Sequence, residues 1–194
     1  MNPLTARHRR EQMALRARVL LELRRVWPML DPERLDETFP GWATAVGALV
    51  LKNRDLSAVL AGRYLRQVRA AAGISGPPPA PTVAALPAAV LMSSLAVTGP
   101  IAVKRGMSHG AGVQRAMEAA FVLSANSATR HVLNAGREAV MSSISEDPRA
   151  VGWRRVTSGR ACEFCDSLQD TYPPGEGDFK AHDGCGCSAE PAYQ

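Results

Sequence analysis

The chain has 194 residues, 46% hydrophobic but only 5% aromatic, and a formal net charge of +5. That size suits one main domain with a small appendage, and the abundant alanine points to helices packed closely on small side chains. No run of eighteen uncharged apolar residues occurs, so no membrane span is expected; the polar, arginine-rich start likewise argues against a signal peptide.

Residues 5–27 place Leu15, Val19, Leu23, Val26 and Trp27 at three- and four-residue steps, predicting an amphipathic helix stopped by Pro28. Arg7, Arg9, Arg10, Arg16, Arg18, Arg24 and Arg25 crowd this helix against only Glu11 and Glu22. Such an arm fits nucleic acid or an acidic protein surface, and equally a solvated helix face. Asp31-Pro32-Glu33 predicts a helix start, with Asp31 as N-cap, for a short helix ending at Phe39 before Pro40-Gly41.

A long helix is predicted over 42–72, with Val46, Leu49, Val50, Leu56, Val59, Leu60, Tyr64, Leu65 and Val68 on its apolar pattern. Trp42 and Tyr64 read as core anchors, Gly73 as the stop, and Arg54, Arg63, Arg66 and Arg69 as a basic outer face. Residues 73–81 contain a proline cluster that cannot supply amide donors to helix or sheet, so they read as an extended linker.

Residues 82–97 are expected to be mostly helical, 98–100 a turn, and 101–104 a short extended piece. The glycine-rich 106–112 lacks the lysine-serine or lysine-threonine ending of a phosphate loop and reads as a turn with an exposed His109. Two further helices follow, over 112–123 and 127–143. The first turns Val113, Met117, Ala120 and Phe121 inward; the second presents Val132, Leu133, Ala139, Val140 and Ile144, with Arg130, His131, Arg137 and Glu138 at its other positions. Asp147-Pro148 closes the helical part. Strand patterns then appear over 152–157, near 168–172, and over 188–193.

The tail carries Glu163, Asp166, Asp170, Glu176, Asp178, Asp183 and Glu190 against Arg154, Arg155, Arg160 and Lys180, and it holds all four cysteines. Two residues separate Cys162 from Cys165, sixteen lie between Cys165 and His182, and two separate His182 from Cys185. Two close pairs joined by a hairpin-length segment are the zinc-ribbon spacing, and a tetrahedral ion needs both pairs delivered to one point. Cys162, Cys165, His182, Cys185 and Cys187 give five candidates for four positions; the spacing favours Cys162, Cys165, His182 and Cys185, with Cys187 able to replace Cys185. A disulfide clip and plain reduced thiols are the competing readings. A catalytic zinc site is disfavoured, because Asp183 rather than glutamate follows His182 and four protein ligands leave no open position. The fold expected is therefore mainly α: a helical body with a small C-terminal β module of zinc-ribbon type. Its organisation reads as an N-terminal helical region 1–73, a linker 74–81, a central helical region 82–150, and a Cys/His module 151–194.

Trp153-Arg154-Arg155-Val156, the Cys162/Cys165 pair, and His182-Asp183-Gly184-Cys185-Gly186-Cys187 followed by Pro191 resemble the C-terminal module of MuF-like minor capsid proteins of tailed bacteriophages, the phage Mu F-type head-morphogenesis family. Thr98-Gly99-Pro100 and the helix from Ser127 to Arg137 resemble the version found in phages of actinobacteria. The resemblance is strongest over 98–193 and only general before that. Ala181 and Gly186 stand where relatives often carry proline and arginine, so no role of that arginine transfers.

The resemblance implies a virion protein packaged inside the procapsid at or near the portal, present in host cytoplasm during assembly, and aiding head assembly or DNA delivery. Portal, capsid or scaffold proteins are its implied partners, and the basic helices would suit packaged DNA. Some relatives are fused to a capsid-maturation protease or an ADP-ribosyltransferase; too little sequence follows Tyr193 for either, and no serine-histidine constellation precedes it. A stand-alone structural protein with no enzymatic activity and no small-molecule substrate is the expectation. Two alternatives compete. A zinc-ribbon nucleic-acid-binding protein would need a base-reading helix beside the ribbon, and a metal- or cysteine-dependent enzyme would need an open metal site or an activated thiol.

Overall fold

The computed structural model describes residues 2–157 and 162–194; Arg160, counted above among the tail's cations, lies outside them. Helix α1 (Pro3–Val26) starts where Asn2 accepts the Leu4 amide at 2.8 Å and Pro3 takes the first position, and it ends in one tight turn, Trp27–Met29, at Pro28. Asp31 caps only a turn, accepting the Glu33 amide at 2.9 Å. Helix α2 (Leu35–Ala71) then runs straight through Pro40, so the expected short helix and break are one 37-residue element. Pro40 lies near the helix start, and its missing amide would have bonded the carbonyl of solvent-exposed Asp36. Full burial of Trp42, Ala43 and Val46 just beyond outweighs that local loss. At the far end Gly73 takes φ 71°, with Gly73 N–H donating to Ala70 O at 3.0 Å and Ile74 N–H to Arg69 O at 3.2 Å, a Schellman stop.

Residues 72–87 are irregular and are strapped onto the body. Thr82 N–H donates to Ser142 Oγ at 3.0 Å, Ser143 Oγ to Pro79 O at 2.9 Å, and Arg54 Nη2 to Ala84 O at 2.8 Å. Helix α3 (Ala88–Ala96) begins only after Pro87, later than expected, and leads through a wide turn, Val97–Ile101, kinked at Gly99. Helix α4 (Ala102–Ser108) occupies residues expected to be extended or turn; the kink redirects the chain without ending helical structure, and Val103 is driven into the core. Helix α5 (Val113–Glu146) is a single helix where two were expected. Ser124-Ala125-Asn126-Ser127 looks like a polar break, yet Ser127 Oγ bonds Ser94 Oγ at 2.6 Å and Ser124 Oγ reaches Thr98 Oγ1 at 3.3 Å. Those hydroxyls are contacts between elements.

Helix α2 packs along α5, with α1 against both. One core cluster gathers Val19, Leu23, Trp42, Val46, Val50, Leu95, Val103 and Val132; a second joins Tyr64, Leu65, Val140 and Ile144 to Trp153 and Ala189 of the C-terminal module. Gly136 lets α5 approach closely: its N–H donates to Ser57 Oγ at 3.1 Å, and a Cβ there would sit 2.6 Å from that oxygen. Trp42 and Tyr64 are buried as expected, whereas Val59 and Val113 face solvent. The expected basic outer face is half wrong. Arg54 is buried, donating to His131 O at 2.9 Å, and Arg69 is buried in an ion pair with Asp147. Among the described residues no helix is long and apolar enough to cross a membrane.

Strands β1 (Ala150–Val156), β2 (Thr171–Tyr172) and β3 (Ser188–Tyr193) form an antiparallel sheet in the order β2-β1-β3. Trp153 pairs with Tyr172 on one side and Pro191 on the other. The molecule is thus mainly helical with a small C-terminal sheet, and the cysteine cluster hangs from that sheet.

Candidate metal centre

A four-residue helical turn, α6 (Glu163–Asp166), carries the first cysteine pair, with Cys162 as its N-cap. One turn of helix puts both sulfurs on the same side. The second group comes from a tight knuckle just before β3. Cys185 N–H donates to His182 O at 3.1 Å, and Gly184 makes the turn at φ 79°. Phe179 leads the chain into this knuckle.

The five sequence-level candidates converge as two triads. Ligand atoms of Cys162, Cys165 and His182 all lie within 4.8 Å of one another, as do those of Cys165, Cys185 and Cys187. Cys165 is the residue the triads share. His182 Nε2 lies 3.3 Å from Cys162 Sγ and 3.2 Å from Cys165 Sγ, and Cys165 Sγ lies 3.8 Å from Cys185 Sγ. A tetrahedral ion with metal–sulfur bonds of about 2.3 Å and metal–nitrogen bonds of about 2.0 Å needs sulfur–sulfur edges of roughly 3.8 Å and sulfur–nitrogen edges of roughly 3.5 Å. The donors fit. The other ring nitrogen, His182 Nδ1, is 2.7 Å from Asp183 O, which turns Nε2 toward the sulfurs, the usual device at metal-binding histidines. None of the four cysteines is bridged. This cluster can hold a metal ion.

Two arginines outside the five candidate ligands complete the site. Arg155 and Arg137 are both buried, and both guanidinium groups lie over the Phe179 ring, at 4.3 and 4.7 Å. Arg155 Nη2 is 3.4 Å from Cys165 Sγ and 3.8 Å from Cys185 Sγ, and donates to Lys180 O at 3.0 Å. Arg137 Nη2 donates to Cys185 O at 2.9 Å and Cys187 O at 3.1 Å. Hydrogen bonding from Cys187, with the Arg137 charge working against burial, pulls the Cys185 thiol down to about 4; the same contact pushes Cys187 up. Burial raises Cys165.

Further arginines clamp the knuckle from outside. Arg9 Nε donates to Gly186 O at 3.2 Å, Arg16 Nη1 to Gly184 O at 3.2 Å, and Arg130 pairs with Asp183 at 2.6 Å. Part of the basic arm of α1 thus holds the module by its main-chain carbonyls. For Arg155 a signal existed in the sequence, since strand alternation from Trp153 puts it on the inward side; for Arg137, Arg9 and Arg16 none did. The sequence matches the VG15 protein family over residues 2–194. The chain belongs to that family. VG15 is a phage family, in keeping with a structural or virion protein. No curated protein and no solved structure matches this VG15 member.

Proposed function

We propose that this VG15 member is a minor capsid and head-morphogenesis protein of the MuF-like, actinobacteriophage kind, packaged in the procapsid at or near the portal. In this reading one structural zinc ion is held by Cys162, Cys165, His182 and Cys185, and portal, capsid or scaffold proteins are the partners. The observation that carries it is the family match over nearly the whole chain joined to the convergence of five cysteine and histidine donors. Choosing Cys185 over Cys187 rests on the 3.8 Å edge to Cys165. Zinc would hold the thiolates and the imidazole together and tie the knuckle to α6, with residues filling every position, so no turnover chemistry is assigned.

The test is co-purification from infected-cell lysate. Tagged protein should bring down portal in fixed ratio and be found in purified particles. Recovery free of both particle and portal would overturn the assignment. A non-specific role toward packaged DNA rests on exposed Arg10, Arg24 and Arg25; it requires duplex affinity that falls steeply as salt rises, and salt-insensitive binding would remove it.

A further inference from the structure

The geometry points to Arg155 as the charge-balancing, positioning residue of the metal centre, an inference that rests on the metal-site reading above. Arg155 is 2% exposed, and its guanidinium has one carbonyl acceptor, Lys180 O at 3.0 Å. Its Nε has no partner among the described residues. The remaining neighbours of its Nη2 are the sulfurs of Cys165 and Cys185, at 3.4 and 3.8 Å. A neutral thiol is a weak acceptor, and a buried guanidinium facing two of them would be poorly compensated. Facing thiolates, the same contacts become charge-assisted.

Charge counting agrees. A divalent ion with three thiolates and a neutral imidazole carries one net negative charge; the Arg155 guanidinium offsets it on the sulfur side, while the Arg137 guanidinium lies against the main-chain carbonyls of Cys185 and Cys187. Arg155 is also rigidly placed: it sits at an inward position of β1, paired with Ala189 of β3, and stacks on Phe179. Arg137 acts differently, reaching the carbonyls of Cys185 and Cys187 and no sulfur that it donates to. Arg155 thus holds the sulfurs of Cys165 and Cys185 in the ligating arrangement and offsets their charge, linking the first cysteine pair to the second.

The experiment compares zinc affinity of the full chain, by chelator competition at one pH, for wild type, Arg155→Met, Arg155→Lys and Arg154→Gln. Methionine keeps a long apolar stem over Phe179 but no charge, and should weaken zinc by about 10–100-fold, the range for outer-shell partners. Lysine keeps the charge and should recover part of that loss. Arg154, half-exposed and paired with Glu190, is the control and should leave affinity unchanged. Equal losses in the methionine and lysine variants, or no loss in either, would overturn the charge role. In wild type loaded with spin-active cadmium, the Arg155 side-chain protons should show coupling to the metal across the N–H···S contacts. Observed Arg155 protons without that coupling would also overturn it, even if the variants fail to fold. Failure of wild type to bind any divalent ion would sink the metal reading itself, which is a distinct result.

Discussion

The helical body and the cysteine module are held together by opposite means. In the body, α2 and α5 bury Trp42, Val46, Val50, Ala128 and Val132, and the stabilisation is area removed from water. In the module the buried set around the cysteines is three thiols with Phe179 and Ala181 at its margin. So small an apolar cluster cannot hold the 162–187 segment by itself, whereas the strands reach the body's core through Trp153 and Ala189. What surrounds it is charge: Arg155 and Arg137 inside, Arg9, Arg16 and Arg130 from the helices. The contrast teaches that the body rests on buried apolar area, and that the 162–187 knuckle needs something to gather its thiolates.

The largest effect should come from Cys165→Ser, because Cys165 belongs to both triads. Structural zinc sites supply binding energy of about 10–16 kcal/mol, which is folding energy for the segment they close. Bound metal should be lost and the near-ultraviolet signal should change as Phe179 and Glu176 loosen from Trp153, while the far-ultraviolet helix signal persists; simultaneous loss of both would break the comparison. Trp42→Ala attacks the other side. Emptying a fully buried site should cost about 3–5 kcal/mol in denaturant unfolding of the helices and leave metal content intact.

A third effect comes from His8, stacked on Tyr64 with ring centroids 4.3 Å apart. Burial, partly offset by Glu11, lowers its pKa from 6.5 to about 4. The unfolded chain therefore takes up this proton first as pH falls. The stability from neutral His8 is present above about pH 6.5 and is lost between 6.5 and 4. His8→Phe keeps the stack and removes the titration. Measured against wild type, it should flatten the acid limb of the stability curve by on the order of 3 kcal/mol between pH 7 and 4. An unchanged difference between the two proteins across that range would contradict the burial of a neutral imidazole. The smallest effect is Arg16→Ala, which removes one donor from the carbonyl clamp. It should cost about 1 kcal/mol and speed hydrogen exchange at the 182–187 knuckle more than in α2. Uniform exchange changes would show that the clamp does not act locally.

Much of this was legible in the chain. The 162–187 spacing marks the donor cluster because few other roles put cysteines and histidine at those intervals. The 3.6-residue pattern marks the helices, and the run from Trp153 marks the first strand. What escaped is what local signals do not encode. Pro40 and the serines at 124 and 127 look like breaks, yet tertiary burial and cross-helix hydrogen bonds override them. Arginine reads as surface, yet Arg54, Arg69, Arg137 and Arg155 are buried because carbonyls, a carboxylate or sulfurs meet them inside. No periodicity announces such a partner.

The most direct test of the contrast is the metal content of the purified full chain before and after exhaustive chelation, read alongside circular dichroism in the far and near ultraviolet. The account predicts one zinc per chain, and on its removal a changed near-ultraviolet spectrum, as Phe179 loosens from Trp153, with the helices retained. A chain purified without any divalent ion, yet showing the same near-ultraviolet spectrum before and after added zinc, would contradict it.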